Sequence, residues 1–376
     1  MQQRDDRRMA LFGVMLWVMA LVVIGIMVAL EPAKRTLTPL YADAAANWST
    51  RADLYTDPHG MNYLPHFVVL YSPFYFLGVP VGDVAWRIVS TAWLAWGLWQ
   101  LLVCVDRSSA GRSFFWASLV SIAMCLGAMR NGQANAIFGA ATVQAIVFLI
   151  RGQWWRAALF LVMAVAIKPL GIVLLLLAPF VYRPLIPRLA VTLIGLAVFP
   201  FLFGPPAYVI SQYQDFPAVM LQASNMTEDR FANVGGIVRA LGLEYPGPVS
   251  TAVSLVAAAA TLGVWWVARR RGEPERGLFL LVLATCYLML FNPMNESNGY
   301  VIVAPAMATV AIRLLETAHR TWGWVLVAIM LSIGILPELI RDLAPDFSLW
   351  AKPLMTIVFM GIVIRVTMKR ARALPL

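Results

Sequence analysis

Apolar residues along this chain fall in long uninterrupted runs, without the alternation of a half-buried strand. Such runs cover 9–30, 84–104, 114–129, 134–150, 154–167, 170–182, 188–204, 248–268, 277–291, 300–315, 322–340 and 349–366. A run near 20 residues matches a hydrocarbon core about 30 Å thick. A bilayer offers the backbone no hydrogen-bond partners, so only helices or closed barrels cross it, and continuous hydrophobicity selects helices. The pattern therefore predicts an all-α polytopic membrane protein, a bundle of about 12 transmembrane helices. Residues 63–77 are aromatic and carry Pro65 and Pro73, which predicts a segment that dips into the membrane and returns. The first run follows Arg4, Arg7 and Arg8 without a small-residue cleavage site, so it is expected to stay as the first span.

Composition agrees with this class. Of 376 residues, 61% are apolar and only 13% charged, too little polar surface for a soluble domain of this size. Neither a tandem repeat nor a low-complexity tract divides the chain, and it reads as a single domain, 1–376. Two polar connections stand out. One is a first loop, 31–62, and the other a long segment, 205–247, whose aromatics suggest interfacial helices. Cys104, Cys125 and Cys286 lie in or beside apolar runs and read as small hydrophobes.

The charges orient the bundle. If 63–77 is re-entrant, 19 of the 29 lysines and arginines fall inside and 10 outside, as the positive-inside rule requires. Both termini are then cytoplasmic. A rival threading makes 63–79 a full span and 154–182 one tilted helix, inverting 80–153; the charge rule prefers the first. The net charge of +10 is topogenic, so nucleic acid is not an expected partner. The chain lacks the nucleotide-binding and hydrolase motifs G-x-x-x-x-G-K-[ST], H-E-x-x-H and G-x-S-x-G.

In the preferred threading the polar islands share the outer side. The first loop carries Asp43, Asp53, Asp57 and His59, with Tyr41 and Trp48 as expected interfacial anchors. Asp43 reads either as a general base beside a lipid headgroup or as the N-cap of a helix begun by Ala44-Ala45-Ala46. Asp53 and Asp57 have turn composition. These acids are also a possible divalent-metal set, although no tight D-x-D occurs. Lys168, between Ile167 and Pro169 in apolar surroundings, either meets a phosphate or snorkels to the interface. Gln133 and Asn135 offer hydrogen bonds to sugar hydroxyls or glue between helices. Arg130 is a phosphate partner or an interface marker. Glu296, among Asn292, Asn295 and Asn298, suits hydroxyl recognition or a solvated turn. Arg230 and Arg239 flank Asn233-Val234-Gly235-Gly236 and read as contacts to a lipid phosphate or to headgroups. His66 is a site residue or a packed neighbour of the aromatics.

Several of these islands carry a family resemblance. On Tyr41-Ala42-Asp43-Ala44-Ala45-Ala46, Leu54-Tyr55-Thr56-Asp57-Pro58, Gly132-Gln133-Ala134-Asn135 and a Lys168-Pro169 after an Ala-rich helix, the chain resembles glycosyltransferase family 87 of the GT-C superfamily. The resemblance covers most of the chain. It implies a GT-C-type bundle with a catalytic first extracytoplasmic loop, in a bacterial-type plasma membrane. It also implies an inverting glycosyltransferase that moves a monosaccharide from a polyprenyl-phosphate donor to a glycan or glycolipid acceptor on the extracytoplasmic face, with no cofactor. Asp43 would be the base, and Lys168, Arg130 and Arg230 would hold the donor phosphate. Gln133, Asn135, Glu296, Asn298, His66 and Tyr63 would position sugar and acceptor. The chain departs from the family pattern at Glu296, Asn298 and Gly299, where tryptophan and histidines are usual, and at His66, in place of Tyr-x-Pro-Pro. Two other classes remain on the sequence alone: a transporter or flippase of a lipid-linked or polar solute, and a non-catalytic envelope-assembly subunit.

Overall fold

The computed structural model describes residues 2–31, 36–56, 60–225 and 231–372. Its helices run in order as α1 (Gln2–Leu30), α2 (Thr38–Thr50), α3 (Pro65–Phe76), α4 (Val81–Val105), α5 (Ala110–Asn131), α6 (Asn135–Ile150), α7 (Trp154–Ile167), α8 (Ile172–Val181) and α9 (Leu185–Val198). The rest are α10 (Pro206–Asn225), α11 (Val234–Ala240), α12 (Gly247–Ala268), α13 (Glu275–Phe291), α14 (Ala304–Leu315), α15 (Arg320–Gly334), α16 (Leu336–Leu339) and α17 (Phe347–Arg372). Each of the twelve apolar runs is centred on one or two of these helices.

Among the described residues, six helical segments are long and apolar enough to cross a membrane: Gln3–Leu30, Val81–Val105, Ala110–Asn131, Leu185–Leu202, Gly247–Ala268 and Phe347–Thr367. Five shorter apolar helices accompany them. Their outer faces are apolar: Leu255 and Val256 of α12 are 66% and 71% exposed, and Leu11, Met15, Val18 and Val22 of α1 are likewise exposed. Exposed apolar surface on this scale needs lipid against it. The chain is an integral membrane protein with an all-α fold.

Two compact units are formed from segments distant in sequence. The described residues of Val18–Gly97 and Gly127–Thr227 make one, called here the Asp43 unit. Those of Met1–Trp17, Leu98–Leu126 and Glu228–Leu376 make the other, the Glu296 unit.

The break in the 154–182 stretch has a local cause. Pro169 has no N–H to donate and its ring clashes with a helical carbonyl, and the residue before a proline avoids the helical region. Lys168 accordingly takes an extended conformation (φ −144°, ψ 134°), followed by a single 3-10 turn, Pro169–Gly171, and then α8. The long tilted helix of the rival threading is therefore absent. At about 18 Å for its 12 residues, α3 is also too short to cross a bilayer, as a re-entrant piece would be.

Candidate functional site

In the Asp43 unit, the polar first loop contains a helix. Pro39 in the first turn of α2 favours its start. Tyr41, Ala44, Ala45 and Trp48, spaced to share one helical face, are buried on it. Tyr41 and Trp48, expected at the lipid interface, instead pack inside protein. The Tyr41 ring meets Tyr63, Phe67, Tyr71 and Trp86 edge-on, at centroid distances of 5.6, 4.8, 5.4 and 6.1 Å. Trp48 lies against Tyr208 of α10 at 5.2 Å. Asp43, two residues and about 200° of helical rotation from Tyr41, is exposed on the other face. It is interior to α2, whose N-cap is Leu37, so the capping alternative is wrong. Among the described residues, no hydrogen bond or ion pair engages its carboxylate.

Behind α2 the motif residues converge. The Tyr41 hydroxyl accepts from the Ala134 N–H at 3.2 Å and shares a hydrogen bond with the Tyr63 hydroxyl at 3.1 Å. Tyr63 is fixed from below, its carbonyl accepting from the Tyr55 hydroxyl at 2.8 Å. Lys168, left extended by the helix break, donates from Nζ to Asn135 Oδ1 at 2.6 Å and stands 5.4 Å from the Tyr63 ring centroid. Asn135 Nδ2 in turn donates to Gln133 Oε1 at 2.8 Å. Gln133 and Asn135 are 4% and 5% exposed, whereas Lys168 is half-buried. Lys168, Asn135, Gln133, Tyr63 and Tyr41 thus form one cluster beneath the helix that carries Asp43.

Gly132 explains the glycine of that motif. Its φ of +60° belongs to the left-handed region. A Cβ there would also lie 2.7 Å from Thr38 Cγ2 and 3.0 Å from the Arg87 guanidinium carbon. The turn is clamped by Trp86 Nε1, which donates to the Gly132 carbonyl at 2.7 Å. Arg87 completes the clamp, donating to the carbonyls of Met129 and Arg130 and pairing with Asp83.

The remaining sequence candidates in this unit are placed differently. Arg130 pairs with Glu31 at 3.2 Å, and its Nε is buried with no partner among the described residues. His66, 2% exposed, hydrogen-bonds through Nε2 with the Leu196 carbonyl (2.8 Å) and the Tyr213 hydroxyl (3.1 Å), which is the packed alternative. Burial holds its imidazole below the usual range, against the opposing pull of the Leu196 carbonyl. Asp53 makes the expected turn, its carboxylate accepting from the Tyr55 N–H at 3.0 Å. Asp57 and His59 lie outside the described residues. In the segment 205–247, expected to form interfacial helices, α10 holds the first loop, Gln212 accepting from the Leu54 N–H and the Tyr208 hydroxyl donating to the Ala52 carbonyl.

In the Glu296 unit, most of the amides expected to read hydroxyls are spent on the backbone. Asn295 Nδ2 donates to the carbonyls of Ala232 (2.7 Å) and Met289 (2.9 Å). Asn233 Nδ2 donates to the carbonyls of Asn292 and Pro293 at 3.0 and 3.1 Å, while its Oδ1 caps α11 at the Gly236 N–H. Asn233 is therefore a latch between two loops. Glu296 pairs its backbone with Phe231 in an isolated antiparallel bridge, and its side chain and that of Asn298 remain half-buried. Arg239 donates to the Phe231 carbonyl at 3.2 Å, and Arg230 lies outside the described residues. Sequence reasoning missed Lys352 of α17, which is 9% exposed. It donates to the Ser297 carbonyl at 3.0 Å and stands 5.6 Å from the Tyr300 centroid. Its signal was a second Lys-Pro inside an apolar run, Lys352-Pro353.

Among the described residues, no three His, Cys, Asp or Glu side chains gather as a metal set. No curated protein matches the chain. Among solved structures, that of ArnT from Cupriavidus metallidurans in the apo state is similar over 93% of this chain and 77% of that chain, with 17% identity and a TM-score of 0.46. Residues 62–293 of the 376, including the Gly132-Gln133-Ala134-Asn135 turn and the Lys168 break, match the profile of glycosyltransferase family 87, and the chain belongs to that family of glycosyltransferases.

Proposed function

We propose that this membrane glycosyltransferase moves one monosaccharide from a polyprenyl-phosphate donor to a glycan or glycolipid acceptor, with inversion, on the extracytoplasmic face. The observation that supports this most is the Lys168 cluster. An ammonium in an apolar region is costly unless it has a function or a partner. Here it donates to Asn135, at a helix break backed by buried amides. A phosphate oxygen arriving there would take a charge-assisted hydrogen bond.

Asp43 fits the base in this scheme. Inversion by single displacement needs the acceptor hydroxyl to attack from the side opposite the leaving phosphate. Base and phosphate holder must then stand apart, across the sugar. The Asp43 carboxylate is exposed and meets no hydrogen bond or ion pair among the described residues, which leaves it open to an acceptor hydroxyl. Asp43 would take the hydroxyl proton as the new bond to the anomeric carbon forms. The sugar–phosphate bond breaks, and its electron pair leaves with the lipid phosphate, whose charge Lys168 stabilises. Gln133, Asn135 and Tyr63 would orient donor hydroxyls. Asn62 Oδ1, next to Tyr63, is buried with no partner among the described residues, an orphan acceptor of the kind a bound hydroxyl would satisfy.

The test is to incubate the purified protein with a panel of polyprenyl-phosphate sugars and acceptors and to follow released polyprenyl phosphate. Release with one donor and inverted product is the expected result. Activity with nucleotide sugars alone would overturn the assignment.

A further inference from the structure

We propose that the Glu296 unit carries a binding site for one anionic phospholipid, separate from the residues discussed above. A cleft opens between α13, α14 and α17, with about 590 Å³ of space that includes the solvent at its mouth. Its walls change character along the helix axes. Its lining includes Arg271, Glu275 and Arg313, which are partly exposed, and Val282, Val310 and Val363, which are buried. Glu275 and Val282 are seven residues apart on α13, or about 10 Å. The shape is a charged collar over an apolar slot that deepens into the bundle.

The charges decide the occupant. Glu275 is shared by both arginines, 3.3 Å from Arg271 and 2.7 Å from Arg313, so the collar keeps a net positive charge. It also lies in a cationic stretch of the chain. Arg269 and Arg270 immediately precede Arg271 in the sequence. The positive-inside rule assigns such a stretch to the cytoplasmic leaflet, where anionic headgroups collect beside basic residues. A polar solute would leave the valine slot unfilled, and a zwitterionic lipid would place a cation against the arginines. An anionic phospholipid satisfies both parts, with its phosphate on the Arg271–Arg313 collar and an acyl chain in the slot.

Native mass spectrometry of the full chain, titrated with phosphatidylglycerol, phosphatidylcholine or glycerol 3-phosphate, reads this directly. Phosphatidylglycerol should occupy one site about tenfold more tightly than phosphatidylcholine, the worth of one charge-assisted contact. Glycerol 3-phosphate alone should not hold. Replacing both arginines (Arg271→Gln with Arg313→Gln) should equalise the two lipids. Two further variants keep the test open if that pair fails to fold. Val310→Trp should displace both lipids by filling the slot. Glu275→Gln should raise phosphatidylglycerol affinity, because it removes the competing carboxylate; a merely structural ion pair would give no gain. Equal retention of the two lipids by the unaltered protein, glycerol 3-phosphate binding as tightly as the lipid, or no response to Val310→Trp would each overturn the proposal.

Discussion

Lys168→Met is the sharpest probe of the proposed donor site, because methionine keeps the unbranched apolar stem and removes only the ammonium. Among the described residues the lysine meets Asn135 Oδ1 at 2.6 Å and the Tyr63 ring at 5.4 Å. Losing the first is worth about 1.5–3 kcal/mol for a hydrogen bond to a charged group. The ring contact adds about 0.5–1 kcal/mol. The variant should therefore unfold at a lower temperature even without ligand. A phosphate on the same ammonium is worth a similar amount again, or roughly ten- to a hundredfold in Kd. Lys168→Arg keeps the charge and should lose less donor affinity, though its planar head suits the Asn135 geometry less well. The assay is binding of a non-hydrolysable polyprenyl-phosphate analogue, run beside thermal unfolding of the same preparations. A Lys168→Met protein that melts early yet binds the analogue as well as the unaltered protein would refute the phosphate role. The lysine would then only brace Asn135.

Asp43→Asn should cut turnover by about 10²–10⁴-fold while leaving the unfolding temperature and analogue binding unchanged, since the carboxylate is exposed; wild-type turnover would remove it from the mechanism. Gly132→Ala should cost at least about 1–2 kcal/mol for a left-handed alanine, and more from the 2.7 Å approach to Thr38, read as a lowered unfolding temperature. An unchanged melt would mean that the motif glycine is not there for its backbone. Because burial lowers the His66 pKa, the unfolded chain binds a proton there before the folded chain does as pH falls below about 6.5. Stability should thus decline from that point downward, and His66→Gln should flatten the acid side of the unfolding profile; an identical slope in both proteins would contradict this.

The helices were legible because bilayer physics leaves the backbone few choices, and Lys168-Pro169 showed where one of them breaks. The interior of the first loop was harder. Tyr41, Ala44, Ala45 and Trp48 do have helical spacing, but a 13-residue helix is short, and sequence alone does not supply α10, whose Tyr208 covers Trp48. Interfacial aromatics and buried ones look alike until that cover is known. Asn295 of the Asn292–Asn298 loop was hard to read for a related reason. Asparagine in a polar loop reads as a recognition group, yet Asn295 meets Ala232, sixty-three positions away, and no local rule reports such a partner. His66 read both as a site residue and as a packed neighbour, and packing prevailed once Leu196 and Tyr213 were in place.

The two Lys-Pro pairs show how one dipeptide is resolved in two ways. At Lys168-Pro169 the chain gives up the helix, and the freed lysine reaches Asn135 over the Tyr63 ring. At Lys352-Pro353 the helix continues, because Pro353 lies inside α17. A helical proline leaves the carbonyl four residues earlier without its N–H partner, here that of Leu349. Gly236 of α11 covers it: a Cβ on Gly236 would lie only 2.1 Å from the Leu349 oxygen, so only a glycine Cα–H fits against that carbonyl. The same glycine donates its N–H to the Asn233 cap, and Asn233 latches the Asn292–Pro293 carbonyls. Lys352 holds the far side of that loop at Ser297. Proline, glycine and lysine thus fix the loop that carries Glu296 from both ends, and in each unit a lysine beside a proline reaches a polar partner on another segment.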